Sequence, residues 1–209
     1  MAVVWHGVPR EMIGETIFSL DRLRTVSPGH YARQTAKYRG REAVLDCRVP
    51  ILDVGFNDTV HCSPLHPTRL YLARKRAGFD VPARPEPPAD FTGLFFEIPL
   101  DRILDHPVLW YSWKTLWING APDEDVPLTP PAEDFEPFDS ARYSPLVQVR
   151  ARHVDYLQRM RQEAKRPLLF VHIPHVLVAG TIDVSGCRVV AWDEQPSISS
   201  RHPTSHREN

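Results

Sequence analysis

Cysteine is scarce in this 209-residue chain: Cys47, Cys62 and Cys187 are the whole set. An odd count with no close pair excludes a disulfide framework and a CxxC metal knuckle. Cys62 and Cys187 fall in strand-like runs and are expected as small buried hydrophobes. Lysine is nearly as rare. Only Lys37, Lys75, Lys114 and Lys165 occur, so the cations are mostly arginine. A base-composition bias of the genome accounts for that preference, while arginine forks also suit phosphates and carboxylates. No apolar run approaches the roughly 18 residues of a membrane span. The opening Met1-Ala2-Val3-Val4-Trp5-His6 has neither the charged n-region nor the apolar h-region of a secretory signal. A soluble, cytoplasmic protein with no membrane partner is therefore expected. GxSxG, Walker A, GxGxxG and HExxH motifs are missing, which removes the common hydrolase, P-loop, Rossmann and zincin readings.

What is present is close to a globular average, with 42% hydrophobic and 24% charged residues. The length suits one domain and can bury a core without staples. The formal net charge of −1 argues against bulk binding of nucleic acid but leaves room for a local patch. Proline is the excess, at 21 residues, about twice the ~5% average, so ordered loops and short elements are expected. Charge is also segregated. Residues 22–48 hold seven basic residues against Glu42 and Asp46, and residues 148–166 hold six against Asp155 and Glu163. Between them, residues 119–140 hold seven acidic residues, five prolines and no cation. That stretch reads as a long solvated loop inside one domain spanning 1–196, followed by a disordered polar tail at 197–209.

The pattern predicts a strand at Ala2–His6 and a helical region from Pro28 to about Asp46, broken at Gly40, with Ser27 as N-cap. Strands are expected at Val49–Val54, Thr59–Cys62, Gly93–Ile98 and Val108–Ile118, with a helix at Pro67–Ala77 and a helical turn at Leu100–Leu104. A long helix is expected from Ser144-Pro145 to Ala164, on apolar positions three and four apart. Pro167–Ile173 reads as a further strand. Thr181–Val184 and Arg188–Trp192 read as a hairpin closed by Ser185-Gly186. Early helices and late strands point to an α+β fold with a mostly antiparallel sheet.

Four constellations carry chemistry. In Val4-Trp5-His6-Gly7 a strand-end imidazole precedes a glycine that lets a ligand approach the backbone. Its plainer role is a local cap. In Tyr38-Arg39-Gly40-Arg41-Glu42 two arginines flank a glycine and suit a diphosphate, or else form a solvated Arg–Glu face. Asn57-Asp58-Thr59-Val60-His61-Cys62-Ser63-Pro64-Leu65-His66 is dense in polar groups. With His172 and His175 it offers four imidazoles, but no zinc spacing. Trp110-Tyr111-Ser112-Trp113 and Trp117 form an aromatic cluster that either stacks a flat ring or belongs to the core.

In their order, these segments resemble the ADP-ribosyltransferase superfamily, and most of all the DarT-type DNA ADP-ribosyltransferases, over residues 3 to about 193. Val4-Trp5-His6-Gly7 is similar to the opening NAD motif of that family. Tyr31 to Arg48 and Val49-Pro50 resemble its basic segment, with Arg41, or else Arg39, as the NAD-contacting arginine. Asn57 to Pro67 resembles its second strand, and Arg161 to Val171 the stretch that brings the catalytic glutamate. The resemblance implies a split, mostly antiparallel sheet with N-terminal helices and NAD as donor. It implies a nucleic-acid or protein acceptor, and a neutralising partner protein. The cofactor-binding residues it implies are His6, Gly7, Arg39, Arg41, His61 and Ser63; the catalytic ones are Glu163 and Arg41. The register departs at one point, where Leu168 falls on the family glutamate. Either Glu163 reaches in, or Glu97 substitutes, or the chain binds nucleotide without that chemistry. A metal-dependent enzyme built on His61, His66, His172 and His175 is the remaining alternative.

Overall fold

Alternation of side chains along Val3 to Pro9 sets the plan of the molecule, because its two faces feed two different cores. The structure is a computed structural model that describes residues 2–38, 42–82, 91–114, 130–165 and 167–194. The strands in chain order are β1 (Val3–Pro9), β2 (Thr16–Phe18), β3 (Arg48–Val49), β4 (Val54–Gly55), β5 (Thr59–Cys62), β6 (Phe91–Pro99), β7 (Val108–Tyr111), β8 (Phe135–Pro137), β9 (His175–Ala179), β10 (Thr181–Asp183) and β11 (Arg188–Ala191). The helices are α1 (Leu20–Val26), α2 (Pro28–Thr35), α3 (Pro67–Arg76) and α4 (Ala151–Gln162).

The expected α+β class holds, and the strand pairs are antiparallel. One sheet has the order β1-β6-β11 and a second β5-β9-β7-β8, with two-stranded pairs β2-β10 and β3-β4. The period-2 rule of a strand assigns the layers. On β9, Leu177 faces a core shared with Tyr156 and Leu157 of α4, so α4 covers that face. Val176 and Val178 face the other way, into a core with Val4, Val60, Phe96 and Ile98. The four-stranded sheet is thus sandwiched between α4 and the three-stranded sheet. The far side of the latter buries Trp5, Phe95, Val190 and Trp192.

Backbone hydrogen bonds join the two sheets at one residue pair, Trp5 of β1 and Ser63 just past β5. Trp5 N–H donates to Ser63 O over 2.9 Å, and Ser63 N–H to Trp5 O over 2.7 Å. Beyond this pair β1 stays with β6, while β5 stays with β9. The strands therefore splay, and the sheet is split where the chain reads His6-Gly7 on one side and His61 on the other. A register shift in β1 falls just beyond, between Gly7 and Pro9, where an irregularity of this kind bends a strand.

Several local expectations are corrected. Thr181–Asp183 and Arg188–Ala191 are not a hairpin: β10 pairs with β2 and β11 with β6. Each strand finds a better apolar neighbour elsewhere in the chain. The last long helix begins at Ala151 rather than Ser144, because Leu146 N–H is taken by Pro64 O in a bridge between the two segments. Pro167–Ile173 is irregular, and the strand follows it as β9. Val49–Val54 is a turn between the short β3 and β4. The region from Pro28 holds α2 and two 3-10 turns, Ala36–Tyr38 and Glu42–Asp46, and is preceded by α1. Ser19 caps α1 through its side chain, whereas Ser27 stands at the start of α2 without such a bond. Cys62 is buried, and burial pushes its thiol up from the ordinary range. Cys187 is half-buried in the turn before β11, not on a strand.

Candidate functional site

The split between β1 and β5 opens a cavity of about 380 Å³. His6, Gly7 and Val8 line one wall, Thr59, Val60, His61 and Ser63 the other. Leu20 and Leu23 of α1, His30 and Gln34 of α2, and Tyr38 close a third side. Phe170 and His175 line it as well, and Glu11, Met12 and Ile13 stand at the loop between β1 and β2.

Backbone polarity in the split follows from strand alternation. Trp5 turns its N–H and C=O toward β5, so Gly7, two residues on, turns its own pair to the same side. That side is the cleft. A Cβ added at Gly7 meets nothing within 4 Å; the glycine leaves room for a ligand to reach the main chain. His6 Nδ1–H donates to Gly7 O over 2.7 Å, which pins the imidazole beside that edge.

Four imidazoles line the cleft: His6, His30, His61 and His175. His61 Nε2–H donates to Phe56 O over 3.1 Å, and its ring lies edge-on to His175 with centroids 5.7 Å apart. His175 accepts the indole N–H of Trp113 on Nδ1. Burial, then the neighbouring His61, lower its pKa to about 3, against a backbone hydrogen bond at Ile173 that acts the other way. His175 is therefore neutral at neutral pH. His30 is 8% exposed, and its Nδ1 is buried without a partner, as is Nε1 of Trp5, another lining residue.

Charge in the cleft is sparse. Among the described residues that line it, Glu11 is the one carboxylate, and none is arginine or lysine. Glu11 forms an ion pair with Arg33 of α2. Both side chains are more than half exposed, so this pair is worth about 0–1 kcal/mol and yields readily.

The structure thus gathers His6, Gly7, His61 and Ser63 around one cavity. Ser63 uses its hydroxyl locally: Oγ accepts from Leu65 N over 3.1 Å and donates to Leu65 O over 3.3 Å. Arg39 and Arg41 lie outside the described residues; they follow the lining residue Tyr38 in the chain. Trp117, Arg166, residues 119–129 of the acidic stretch and the tail also lie outside them; the rest of that stretch is not a solvated loop, since it holds the buried Asp134 and strand β8. Glu163 is not in the cleft. It ends α4, where Lys165 lies 2.8 Å away and, with Arg159, holds its carboxyl below the usual range. Glu97 is no substitute in place, for it stands on β6 facing Arg188 at 4.0 Å and does not line the cavity.

The four histidines considered for a metal do not converge. His66 caps α3 through Nδ1, accepting from Thr68 N, and packs on Trp5. His172 sits under α4 against Trp113 and Tyr156. No group of three or more His, Cys, Asp or Glu that could hold a metal ion occurs among the described residues. The aromatic cluster is mostly core: Tyr111 and Trp113 are buried beside Phe135 and His175. His30 and His175 belong to the cleft but were not legible as a set, since α2 and β9 are joined to it only by tertiary packing. No helix among the described residues is long and apolar enough to cross a membrane. Compared with family models, with curated proteins and with solved structures, the chain matches none.

Proposed function

We propose that this protein is an NAD-dependent ADP-ribosyltransferase with its donor site in the split between β1 and β5. One observation carries the reading. Segments that resemble the family's two NAD-contacting strands, His6-Gly7 and His61 to Ser63, lie more than fifty residues apart in sequence and line the same cavity. The open edge of Gly7 suits a carboxamide, which needs one acceptor and one donor. The aromatic and imidazole lining suits a flat ring. The resemblance assigns the cations that a diphosphate requires to Arg39 and Arg41. The acceptor is a nucleic acid or another macromolecule, and a neutralising partner protein belongs to the same reading.

The placement of Glu163 favours a second reading, a nucleotide-binding module of the same architecture without transfer chemistry. Breaking a glycosidic bond develops positive charge, and a carboxylate must meet it. Glu163 is turned to Lys165 instead.

Calorimetric titration of NAD into the full chain tests the site. Heat that Arg41→Ala abolishes is the expected result. No heat at millimolar NAD overturns both readings. Nicotinamide release then separates them: the transferase releases it and the module does not.

A further inference from the structure

We propose that Glu11, rather than Glu163, is the carboxylate that meets the positive charge on the donor ribose. The inference rests on the reading of the cleft as an NAD site. Its basis is the composition of the cavity itself. Of the described residues that line it, Glu11 alone carries a negative charge, and it shares the cavity with His6, Gly7 and His61. The loop that holds it runs directly from β1, two residues past Pro9, so Glu11 stands at the same end of the split as the open edge of Gly7. Its partner Arg33 is on α2, across the mouth. That pair is exposed and weak, so a cationic centre in the cleft readily takes the place of Arg33 beside the carboxylate.

The step balances without any further reactant beyond water or an acceptor hydroxyl. The bond from the nicotinamide nitrogen to C1′ of the ribose breaks, and its electron pair goes to that nitrogen, so nicotinamide leaves neutral. Positive charge spreads over C1′ and the ring oxygen, opposite the Glu11 carboxylate. The oxygen of water or of the acceptor hydroxyl bonds to C1′ and gives up its proton to solvent. Electrostatic stabilisation of such a developing charge accounts for about 100-fold in rate or more.

The test compares Glu11→Gln, Glu163→Gln and Arg33→Ala in the full chain. Each is measured for NAD affinity, nicotinamide release, and binding of a protonated pyrrolidine sugar mimic as a stand-in for the cation. Glu11→Gln is expected to keep NAD affinity within about threefold, to slow nicotinamide release about 100-fold or more, and to weaken the cationic mimic about tenfold or more. Glu163→Gln and Arg33→Ala are expected to stay within about threefold of the parent on all three readouts. Release that survives Glu11→Gln overturns the proposal, as does release lost in Glu163→Gln. An equal loss in Arg33→Ala also overturns it, because the ion pair would then be what matters. A parent chain that binds NAD and releases no nicotinamide overturns the role of Glu11 and leaves the binding module standing. A parent chain that does not bind NAD removes the reading of the cleft itself.

Discussion

Trp113 donates its indole N–H to Nδ1 of His175 over 3.3 Å, and so decides which nitrogen of that imidazole keeps its proton. With Nδ1 used as an acceptor, the neutral ring carries its hydrogen on Nε2. The arrangement is held from the N-terminal end of α4, by its N-cap Arg150 and by Arg152. Arg150 donates to Ser112 O over 2.6 Å, and Arg152 donates to Lys114 O, so the carbonyls on both sides of Trp113 are clamped. Trp113 has φ +51°, and His172, whose ring it touches, has φ +60°. Left-handed backbone at bulky residues costs of order 1–3 kcal/mol each and persists where the surroundings over-determine it. The strain sits one shell behind the cleft, where it fixes a lining residue.

Trp113→Phe keeps most of the apolar contact and removes the N–H. His175 is 7% exposed, so its Nδ1 then loses the indole partner in a largely buried setting. The expected loss is about 1–3 kcal/mol in urea unfolding. The nitrogen resonances of His175 should shift from a single tautomer toward a mixture. An unchanged imidazole spectrum would show that Trp113 does not set the tautomer.

Acid should unfold this protein earlier than its carboxylates alone require. His153 is fully buried, with Nδ1–H donating to Val171 O over 2.6 Å and no partner at Nε2. Burial lowers its pKa to about 4, with Arg74 adding to the effect against the Val171 bond. His172 is likewise lowered to about 4, by burial first and then by His153, Arg152, Arg159 and Arg150. A histidine with a lowered folded pKa binds fewer protons folded than unfolded. Its contribution is complete above the unfolded value of 6.5 and is lost as pH falls through about 4. One pKa unit is about 1.4 kcal/mol, so by pH 5 each of these two histidines removes roughly 2 kcal/mol. Stability measured in urea should be flat from pH 8 to 7 and fall steadily below 6.5. Equal stability at pH 7 and pH 5 would contradict the neutral, buried state of both rings.

Local pattern carried the elements whose partners are near in sequence or whose ends are punctuated. The start of β1 was legible, but not its end: expected to stop after His6 at Gly7 and Pro9, the strand runs through both, with a register shift between them. Also legible was α3, with Pro67 at its first turn and Gly78 (φ +81°) after its end. The strand β6 was legible from its alternation, since Phe95 goes to one core and Phe96 and Ile98 to the other. Pairing at a distance was not legible. Ser185-Gly186 is a turn, with Gly186 at φ +67°, but nothing local says that the strands around it join different sheets. The apolar spacing from Leu146 onward is helical in period, yet Leu146 is spent on a bridge to Leu65. For the site, the two strand motifs were visible because each is a polar group set against strand residues. The carboxylate was not, because Glu11 lies in a loop whose only distinction is where it folds.

Gly7 gives the sharpest separation of fold from ligand binding. Its backbone carries no left-handed strain, and the space a methyl would fill is open. Gly7→Ala should therefore fold as the parent does, within about 0.5 kcal/mol in urea unfolding. The same methyl projects from the strand face beside the N–H and C=O that Gly7 turns to the split, where a ring docked against that edge has to clear it. If a carboxamide docks on that edge, the added carbon crowds it and weakens its two hydrogen bonds, each worth about 0.5–1.5 kcal/mol. NAD affinity should fall about tenfold or more while the stability curve stays in place. A Gly7→Ala protein that binds NAD as tightly as the parent would mean that the ligand does not use the open edge of β1. The cleft would then have to recognise it through its side chains alone.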